Sequence, residues 1–424
     1  MLKKLQLGRA VKLQWNLQSI IIMKRKLTFT ILSISLLTVM AGAAMAPALG
    51  VIRTHFADKS NLLVQLIVSL PALTIIITNL FFPLLCQMMR TKTIAVSGLL
   101  MYVVFGAGAF LVEDIWTILA LRALLGVSVG MIMPLSTGLL SFYFPPEDQP
   151  RLMGLGAFMS QLGGVIATLL SGLLANISWN FAFLVYLLGL PALMLVAINL
   201  PNEKLKTGAS TMDDAPDYYE SETGITQARK KEGRPIASLM RFAPSVVGMY
   251  LQMLLFFIFP TNFAMTARAN DALTGNDITL IMVGLDVVAA IVGIVFGWIM
   301  SNMSRTVKYM APLTFIIGYA MFAIGVSTPL LLAGAFFVGL ANGIGMPYLN
   351  TIASIKGGKD AATTVMPLIS AAMYLGQFTS PLIVSPISEA VGSDNAPYMV
   401  GVVISIVFLA QAYMSRKYQA LRAI

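Results

Sequence analysis

Charged residues are scarce in this sequence. Asp, Glu, Lys and Arg make up 11% of the 424 residues, whereas 58% are hydrophobic. Soluble proteins carry about 25% charged residues, so this chain cannot cover a water-facing surface of its own size. The composition excludes a soluble globular protein and indicates an integral membrane protein whose solvent is largely lipid.

Cysteine and histidine are almost absent. The single cysteine, Cys86, excludes an internal disulfide and a cysteine-rich metal site, and the single histidine, His55, leaves too little for a His-based metal centre. No Gly-x-x-x-x-Gly-Lys-Ser/Thr loop and no clustered nucleophile and base occur, which argues against ATP hydrolysis and against an enzyme. No basic stretch alternates with aromatic residues. We expect no cofactor, no metal and no nucleic-acid partner.

Long apolar runs separated by short polar breaks fill the chain from Leu27 onward. A transmembrane helix needs roughly 20 apolar residues, and the runs lack the short alternation of membrane-barrel strands. The sequence therefore predicts an all-α integral membrane protein, with twelve transmembrane helices as two six-helix pseudo-repeats around a central cavity. The predicted spans are 27–50, 61–86, 93–112, 115–142, 152–175, 181–200, 242–266, 278–301, 309–327, 330–352, 361–387 and 397–415.

One long polar segment, 201–241, separates the first six spans from the last six. It combines acidic residues with a basic run, and a segment of this composition cannot bury enough apolar area to fold alone. Met23 is followed by three basic residues and resembles a natural start, so 1–22 is interpreted as a start-site artefact, with a peripheral amphipathic segment as the alternative. The predicted division is a basic cytoplasmic N-terminus at 1–26, a six-helix half at 27–200, a cytoplasmic linker at 201–241, a second half at 242–415 and a cytoplasmic tail at 416–424.

Lysine and arginine are distributed unevenly among the predicted loops. Of the 28 such residues, Arg53, Lys59 and Arg268 lie in loops on the side away from both termini, and Arg122 lies within a span. All the others lie on the side of the termini, and such an excess marks the cytoplasmic side. We therefore expect a multi-pass protein of the cell (inner or plasma) membrane with both termini in the cytoplasm.

The pattern Gly-x-x-x-Gly-x-x-Met-Pro occurs twice, at 126–134 and at 339–347. Glycines four residues apart let helices approach closely in lipid, and proline removes a helix hydrogen bond and bends the helix. Internal repeats of this kind are typical of secondary transporters, which bind their substrate at the repeat interface. We assign roles in helix packing or gating to Gly126, Gly130, Pro134, Gly339, Gly343 and Pro347.

Three features of the chain resemble motifs of the major facilitator superfamily. The fourth span has Arg122-x-x-x-Gly-x-x-x-Gly, and the fifth has three glycines nine residues apart, which is similar to the drug–proton antiporters of that family. The loop after the second span ends in Arg-Thr, as does its copy in the second half, but the acid of the family's loop motif is missing from both. To the packing or gating residues these motifs add Arg90, Gly154, Gly163 and Arg305.

Arg122 and Asp286 are the ionisable acid and base residues that lie well inside predicted spans, roughly 10–12 Å from the outer end. Charges at such depth are costly and usually face a cavity or a partner. Asp286 is our candidate for proton coupling, and Arg122 would set the pKa of Asp286 or bind an anionic substrate. A structural ion pair or a snorkelling side chain is the alternative. The resemblance implies a coupling role for Arg122, because the family's matching arginine is linked to proton transfer. The repeat aligns Arg122 with Ala335, and Asp286 with Pro71.

Polar and aromatic residues inside spans are candidates for lining a substrate cavity, and helix packing is the alternative role for each. The resemblance implies that the first, fourth, seventh and tenth helices face this cavity. With 27 methionines and many aromatics, such a cavity suits varied apolar or amphipathic ligands. The candidates are Gln161, Tyr250, Gln252, Phe256, Asn262, Asn342, Tyr348, Tyr374 and Gln377.

The function that these features favour is secondary active transport by alternating access, with proton-coupled efflux of a small organic or drug-like molecule. The expected partners are this substrate, protons or another ion, and the lipid bilayer, and we expect a monomer. One alternative is an uptake symporter or uniporter for a polar nutrient such as a sugar, nucleoside or amino acid. Another is a non-transporting membrane sensor.

Overall fold

The computed structural model describes residues 25–144, 148–203, 242–269, 273–303, 306–325, 327–357 and 365–420. Within these ranges every regular element is helical, and twelve helices are long and apolar enough to cross a membrane. The predicted fold class is thereby confirmed. Most of the predicted N-terminus, nearly all of the predicted linker, and Arg305 lie outside the described residues.

The first six spans are α1 (Arg25–Gly42), α2 (Asn61–Met88), α3 (Thr91–Gly108), α4 (Ile115–Tyr143), α5 (Gln149–Ala175) and α6 (Trp179–Asn199). The last six are α7 (Ala243–Ala269), α8 (Gly275–Met303), α9 (Val307–Ile324), α10 (Thr328–Gly357), α11 (Met366–Val391) and α12 (Ala396–Ala420). Since twelve is even, α1 begins and α12 ends on the same face, which we call the terminal face. The other is the opposite face.

The first span differs from its prediction. We expected one helix over 27–50, but α1 ends at Gly42, and an irregular stretch at 44–48 leads to a short helix, Leu49–His55. Pro47 lies in the break, where it supplies no backbone N–H and disfavours a helical conformation of the residue before it. The prediction missed the break because the apolar run continues through it.

Helices at matching places in the two sets of six pack alike. α2 packs on α4 as α8 packs on α10, and α3 packs on α4 as α9 packs on α10, as expected for pseudo-repeats. The two sets meet along α2 and α11, along α5 and α8, and where the short helix Leu49–His55 contacts α7.

The repeated glycines lie where these matching helices come closest. A Cβ atom at Gly126 of α4 would collide with the Thr74 side chain and the Pro71 backbone of α2. One at Gly343 of α10 would come within 2.7 Å of the Ala289 carbonyl of α8. Only glycine permits so close an approach of two helix backbones. Similar contacts involve Gly130 and Gly339.

Local sequence determines several helix ends. Asp114 caps the start of α4, where its carboxylate accepts hydrogen bonds from the Thr117 amide at 2.9 Å and hydroxyl at 3.0 Å. These bonds hold the pKa of Asp114 below its usual range. α11 ends at Val391 and is capped by Gly392, whose φ of 69° suits glycine. Pro134 and Pro347 lie inside α4 and α10, and both helices continue past them.

Replacing Gly126 by leucine should force α2 and α4 apart and lower the free energy of unfolding by about 1–3 kcal/mol, as overpacking does. The midpoint of thermal unfolding of the purified protein in detergent measures this loss. Gly293→Leu is the matched control, because a Cβ at Gly293 meets no atom within 4 Å. Equal losses in the two variants would contradict the packing role.

Candidate functional site

Two hydrogen bonds join α5 and the residue after it to α8, in the half of these helices toward the opposite face. The Thr168 hydroxyl donates to the Asp286 carboxylate at 3.1 Å, and the Asn176 side-chain amide donates to Oδ1 of Asn276 at 2.7 Å. Each bond connects the first six helices to the last six. We call this contact the α5–α8 seam.

The same two helices diverge toward the terminal face. Gly172 of α5 lies directly against Thr279 of α8. Gly154 lies five helical turns before Gly172 and so on the same face of α5, yet a Cβ there would meet no atom within 4 Å. Gly293 and Gly297, on the face of α8 that carries Thr279, are equally open. The seam is closed at the opposite face and open at the terminal face.

Asp286 lies eleven residues past Gly275, the first residue of α8, which is about 16 Å along the helix. This is deeper than predicted, because α8 begins before the expected residue 278.

The half-buried Asp286 side chain faces a cavity of about 30 Å³, whose walls are Thr168, Ala46 and apolar or aromatic residues of α7 and α8. Within the described part of the chain, no lysine or arginine lines this cavity. A water molecule needs about 10–15 Å³, so the cavity has room for water beside the carboxyl.

Arg122 is fully buried among the first six helices. Its Nε donates to the Ile67 carbonyl at 2.8 Å and its Nη2 to the Ala41 carbonyl at 2.8 Å. Its guanidinium carbon lies 5.0 Å from the ring centroid of Tyr186. Nη1 has no hydrogen-bond partner among the described residues. The described residues contain no ion pair between Arg122 and Asp286.

Both carbonyls that bind Arg122 lack a helix partner. In α2 the Ile67 carbonyl would accept a hydrogen bond from the residue four positions later, which is Pro71 and has no N–H. Ala41 lies in the last turn of α1, where carbonyls have no amide to accept from. Arg122 therefore supplies a donor to each of these carbonyls, and the Tyr186 hydroxyl of α6 donates a second hydrogen bond to the Ala41 carbonyl at 3.3 Å.

The second set of six helices needs no such arginine. Asp286 stands where the first set has Pro71, so α8 has a backbone N–H at this position and its hydrogen bonding continues. Ala335 stands where the first set has Arg122, and it is buried. The proline and the arginine occur together in one half, and both are absent from the other. This pairing accounts for the single buried arginine.

The predicted cavity residues do not share one cavity among the described residues. Phe256 lines the small cavity beside Asp286. Asn262 lines a cavity of about 340 Å³ at the opposite face. Tyr348 lines one of about 110 Å³ at the terminal face, between α7, α9, α10 and α12. Their roles as substrate contacts remain predictions.

Two predicted cavity residues of α11 touch the first six helices. The Tyr374 hydroxyl donates to the Met133 sulfur at 2.9 Å. Gln377 is buried against Gly42, where a Cβ would come 2.6 Å from its Nε2. Both residues lie between the two sets of helices, as the substrate of a rocking transporter does. Gln161, in contrast, is exposed.

Three further candidates lie between helices of the second set. The Tyr250 hydroxyl accepts a hydrogen bond from Thr379 at 3.0 Å, which links α7 to α11. Nε2 of Gln252 donates to the Ala341 carbonyl at 3.3 Å, which links α7 to α10. Asn342 is half-buried, and its Oδ1 has no hydrogen-bond partner among the described residues.

The remaining packing or gating candidates differ in their surroundings. Gly163 lies against the Leu36 backbone of α1, where a Cβ would collide. Arg90 is exposed at the terminal face and precedes the first residue of α3.

Sequence reasoning missed Thr168, Gln65 and Tyr186. The glycine motif that the fifth span resembles usually continues with Gly-Pro, and this chain has Ala167-Thr168 there. This departure was the one signal of the role of Thr168. Gln65 is an uncharged polar residue near the end of a span, like several residues that we did select. Tyr186 lies in an apolar run, and its contact with Arg122 depends on how α6 packs.

Residues 31–381 match the family described as Major Facilitator Superfamily. A curated relative, probable anion transporter 4, chloroplastic, of Arabidopsis thaliana, is 33% identical over 64 residues. That match covers 15% of this chain and 12% of the relative, so the chain spans only a small part of its length.

Solved structures resemble this chain over nearly its whole length. A bacterial homolog of the human lysosomal transporter Spinster, in an inward-facing and occupied conformation, has a TM-score of 0.76 at 12% identity, with 93% of this chain and 97% of that chain covered. The nucleoside transporter NupG has a TM-score of 0.72 at 11% identity, with coverage of 92% and 99%. The human organic anion transporter MFSD10 (TETRAN) has a TM-score of 0.61 at 15% identity, with coverage of 92% and 99%. At these identities the likeness shows the fold alone.

A double-mutant cycle tests the role of Arg122. Arg122→Met leaves the Ile67 carbonyl buried without a donor, which costs about 1–3 kcal/mol. Pro71→Ala restores a backbone N–H for that carbonyl. The loss of unfolding free energy caused by Arg122→Met should therefore be smaller in the Pro71→Ala background, by about 1 kcal/mol. Thermal or denaturant unfolding in detergent measures all four proteins.

Arg151→Met is the matched control, because Arg151 is exposed on α5. Its effect should be the same with Pro71 or with alanine at that position. Strictly additive effects of Arg122→Met and Pro71→Ala would contradict the assignment.

Proposed function

This chain belongs to the Major Facilitator Superfamily, and from that premise we propose that it is a proton-coupled secondary transporter that exports a small organic or drug-like molecule by alternating access. One observation carries the proposal most directly. A carboxyl group deep in α8, Asp286, makes its hydrogen bond to Thr168 across the seam between the two sets of six helices. Protonation at this point acts directly on the contact that has to break when the protein changes conformation.

The two halves, 27–200 and 242–415, move as bodies joined by the linker 201–241 in this proposal. The excess of lysine and arginine supports a cytoplasmic terminal face in the cell membrane. The described conformation then opens to the cytoplasm and is closed on the outside. An exporter takes up its substrate in such a state and releases it after the α5–α8 seam has opened.

The surroundings of Asp286 favour a proton cycle. None of the described residues that line its cavity is a cation, so an ionised carboxylate enclosed there is costly, whereas a neutral carboxyl is tolerated. Asp286 gains a proton from outside when the seam opens and gives it up toward the cytoplasm in the described state. Among the described residues that line this cavity, Asp286 and Thr168 have polar side chains.

Aromatic residues support an apolar or amphipathic substrate. Phe256, Phe257, Phe259 and Pro260 line the cavity beside Asp286. In the half of the helices toward the terminal face, Tyr374 reaches the thioether of Met133 on the other set of helices. Aromatic faces and flexible thioethers accept ligands of varied shape.

The second candidate function is uptake of a polar solute together with protons. The cavity of about 340 Å³ at the opposite face, whose walls include the polar residues Gln65 and Asn262, favours this alternative. So does the similarity of the fold to the nucleoside transporter NupG. Symport moves substrate and protons in the same direction, whereas antiport moves them in opposite directions.

Asp286→Asn should uncouple transport. In proteoliposomes with an internal pH dye and an imposed pH gradient, a panel of cationic dyes, sugars and nucleosides identifies the solute class that moves protons. We expect Asp286→Asn to reduce that proton movement at least about tenfold while downhill flux of the same solute persists, since asparagine cannot release a proton. The relative directions of proton and solute distinguish export from uptake.

Asp277→Asn is the control, because it makes the same change near the first residue of α8, where the carboxylate accepts hydrogen bonds from Thr274. It should transport as the unaltered protein does. Proton movement of normal size and pH dependence in Asp286→Asn would rule out the coupling role.

Cross-linking the α5–α8 seam should stop transport. The side chains of Asn176 and Asn276 are hydrogen-bonded across it, so cysteines at both positions, in a Cys86→Ser background, can form a disulfide. Oxidation should reduce flux at least about tenfold and a reductant should restore it, because alternating access requires the seam to open. The Asn176→Cys single variant should be insensitive to oxidation. Normal flux through the cross-linked protein would contradict the proposed conformational cycle.

A further inference from the structure

A second polar site lies at the opposite face, apart from Asp286 and the α5–α8 seam. It is a cavity of about 340 Å³ whose walls come from both sets of helices. Arg53, Asn61 and Gln65 line it from the first set, and Asn262, Glu389 and Asp394 line it from the second. We call it the opposite-face cavity. Its volume is at the lower end of the range for ligand pockets.

The side-chain amides of Gln65 and Asn262, which line this cavity, are hydrogen-bonded to each other. Gln65 is 1% exposed, and its Nε2 donates to Oδ1 of Asn262 at 2.8 Å. Nδ2 of Asn262, in turn, donates to the Ile258 carbonyl at 2.8 Å and to the Thr261 hydroxyl at 3.1 Å. Oε1 of Gln65 has no hydrogen-bond partner among the described residues. A buried acceptor without a partner is costly, and a ligand with an N–H donor would satisfy it.

The charged groups of this cavity favour a cation. Arg53 is already engaged within the first set, where its Nε donates to Asn61 and its Nη1 donates to the Phe56 carbonyl at 3.0 Å. Two carboxyl groups face the same cavity, Glu389 at the end of α11 and Asp394 just after it. The left-handed turn at Gly392 reverses the chain between them. Two acids opposite one engaged guanidinium give the cavity a formal excess of negative charge.

We infer that the opposite-face cavity binds a small organic cation with N–H donors, such as a primary ammonium or an amidinium of about ten non-hydrogen atoms. The ammonium group lies near Glu389 and Asp394 and donates toward Oε1 of Gln65. Because the walls come from both sets of helices, bound cation stabilises the closed opposite face relative to the open one. The inference does not depend on proton coupling through Asp286.

Three probes that share a benzyl group test the chemistry. Benzylammonium carries charge and N–H donors, benzyltrimethylammonium carries charge alone, and benzyl alcohol has a donor without charge. Titration of the purified protein, followed by its thermal unfolding midpoint, should show saturable stabilisation by benzylammonium at millimolar concentration, and at least about tenfold weaker binding of the other two. Equal binding of the alcohol, or of the trimethyl compound, would overturn the assigned chemistry.

Two variants locate the binding. Glu389→Gln and Gln65→Met should each weaken benzylammonium at least about fivefold. Glu113→Gln, which alters an exposed acid of the opposite face outside the cavity, should leave it unchanged. Glu389 is exposed and accepts only a long hydrogen bond from Ser385 at 3.4 Å, so this variant tests the site even if Gln65→Met folds poorly. Unaltered binding in Glu389→Gln would overturn the location.

A last measurement tests the link to conformation. Benzylammonium should speed disulfide formation at least about twofold in the variant with cysteines at Asn176 and Asn276, because it favours the closed seam. The same treatment of that variant carrying Glu389→Gln should show no such acceleration. Binding without faster cross-linking would remove the conformational part of the inference.

Discussion

One buried guanidinium holds together the helices on which the first half of the protein depends. Pro71 leaves the Ile67 carbonyl without an amide donor, and the break after α1 does the same for Ala41. In lipid no water can replace the missing donors, and each unsatisfied group costs several kcal/mol. Arg122 satisfies both carbonyls from α4, and Gly126 lets α4 come close enough to α2 to do so.

The second half solves the same packing problem without a charge, and this frees its equivalent position for another use. α8 has a backbone amide where α2 has proline, so no guanidinium is required, and an aspartate stands there instead. The side chain of Asp286 points to the seam with α5, where it meets Thr168. A duplicated fold thus carries a structural charge in one half and a candidate proton carrier in the other.

Several polar contacts between the halves lie in the half of the helices toward the opposite face. The hydrogen bonds of the α5–α8 seam and the bond between Gln65 and Asn262 lie there, whereas Gly154 and Gly297 have open space toward the terminal face. Neutral hydrogen bonds of this kind contribute only about 0.5–1.5 kcal/mol each. A few such bonds can close one side of a transporter without making that closure permanent. A ligand or a proton can then shift the equilibrium between the closed and the open conformation.

The sequence by itself determined the twelve spans, the internal repeat, the uneven distribution of basic residues and the two buried charges, because each of these is a local or periodic property of the chain. Only the tertiary structure decided what the charges meet. Asp286 bonds to a residue 118 positions away, and Arg122 bonds to carbonyls 55 and 81 positions away. Hydropathy places a residue at a depth in the membrane, but its partner depends on how each helix is rotated and packed. For the same reason hydropathy could not decide between a coupling role and a structural ion pair for these two residues, and the described residues contain no such ion pair. The break at Pro47 was hidden within an apolar run.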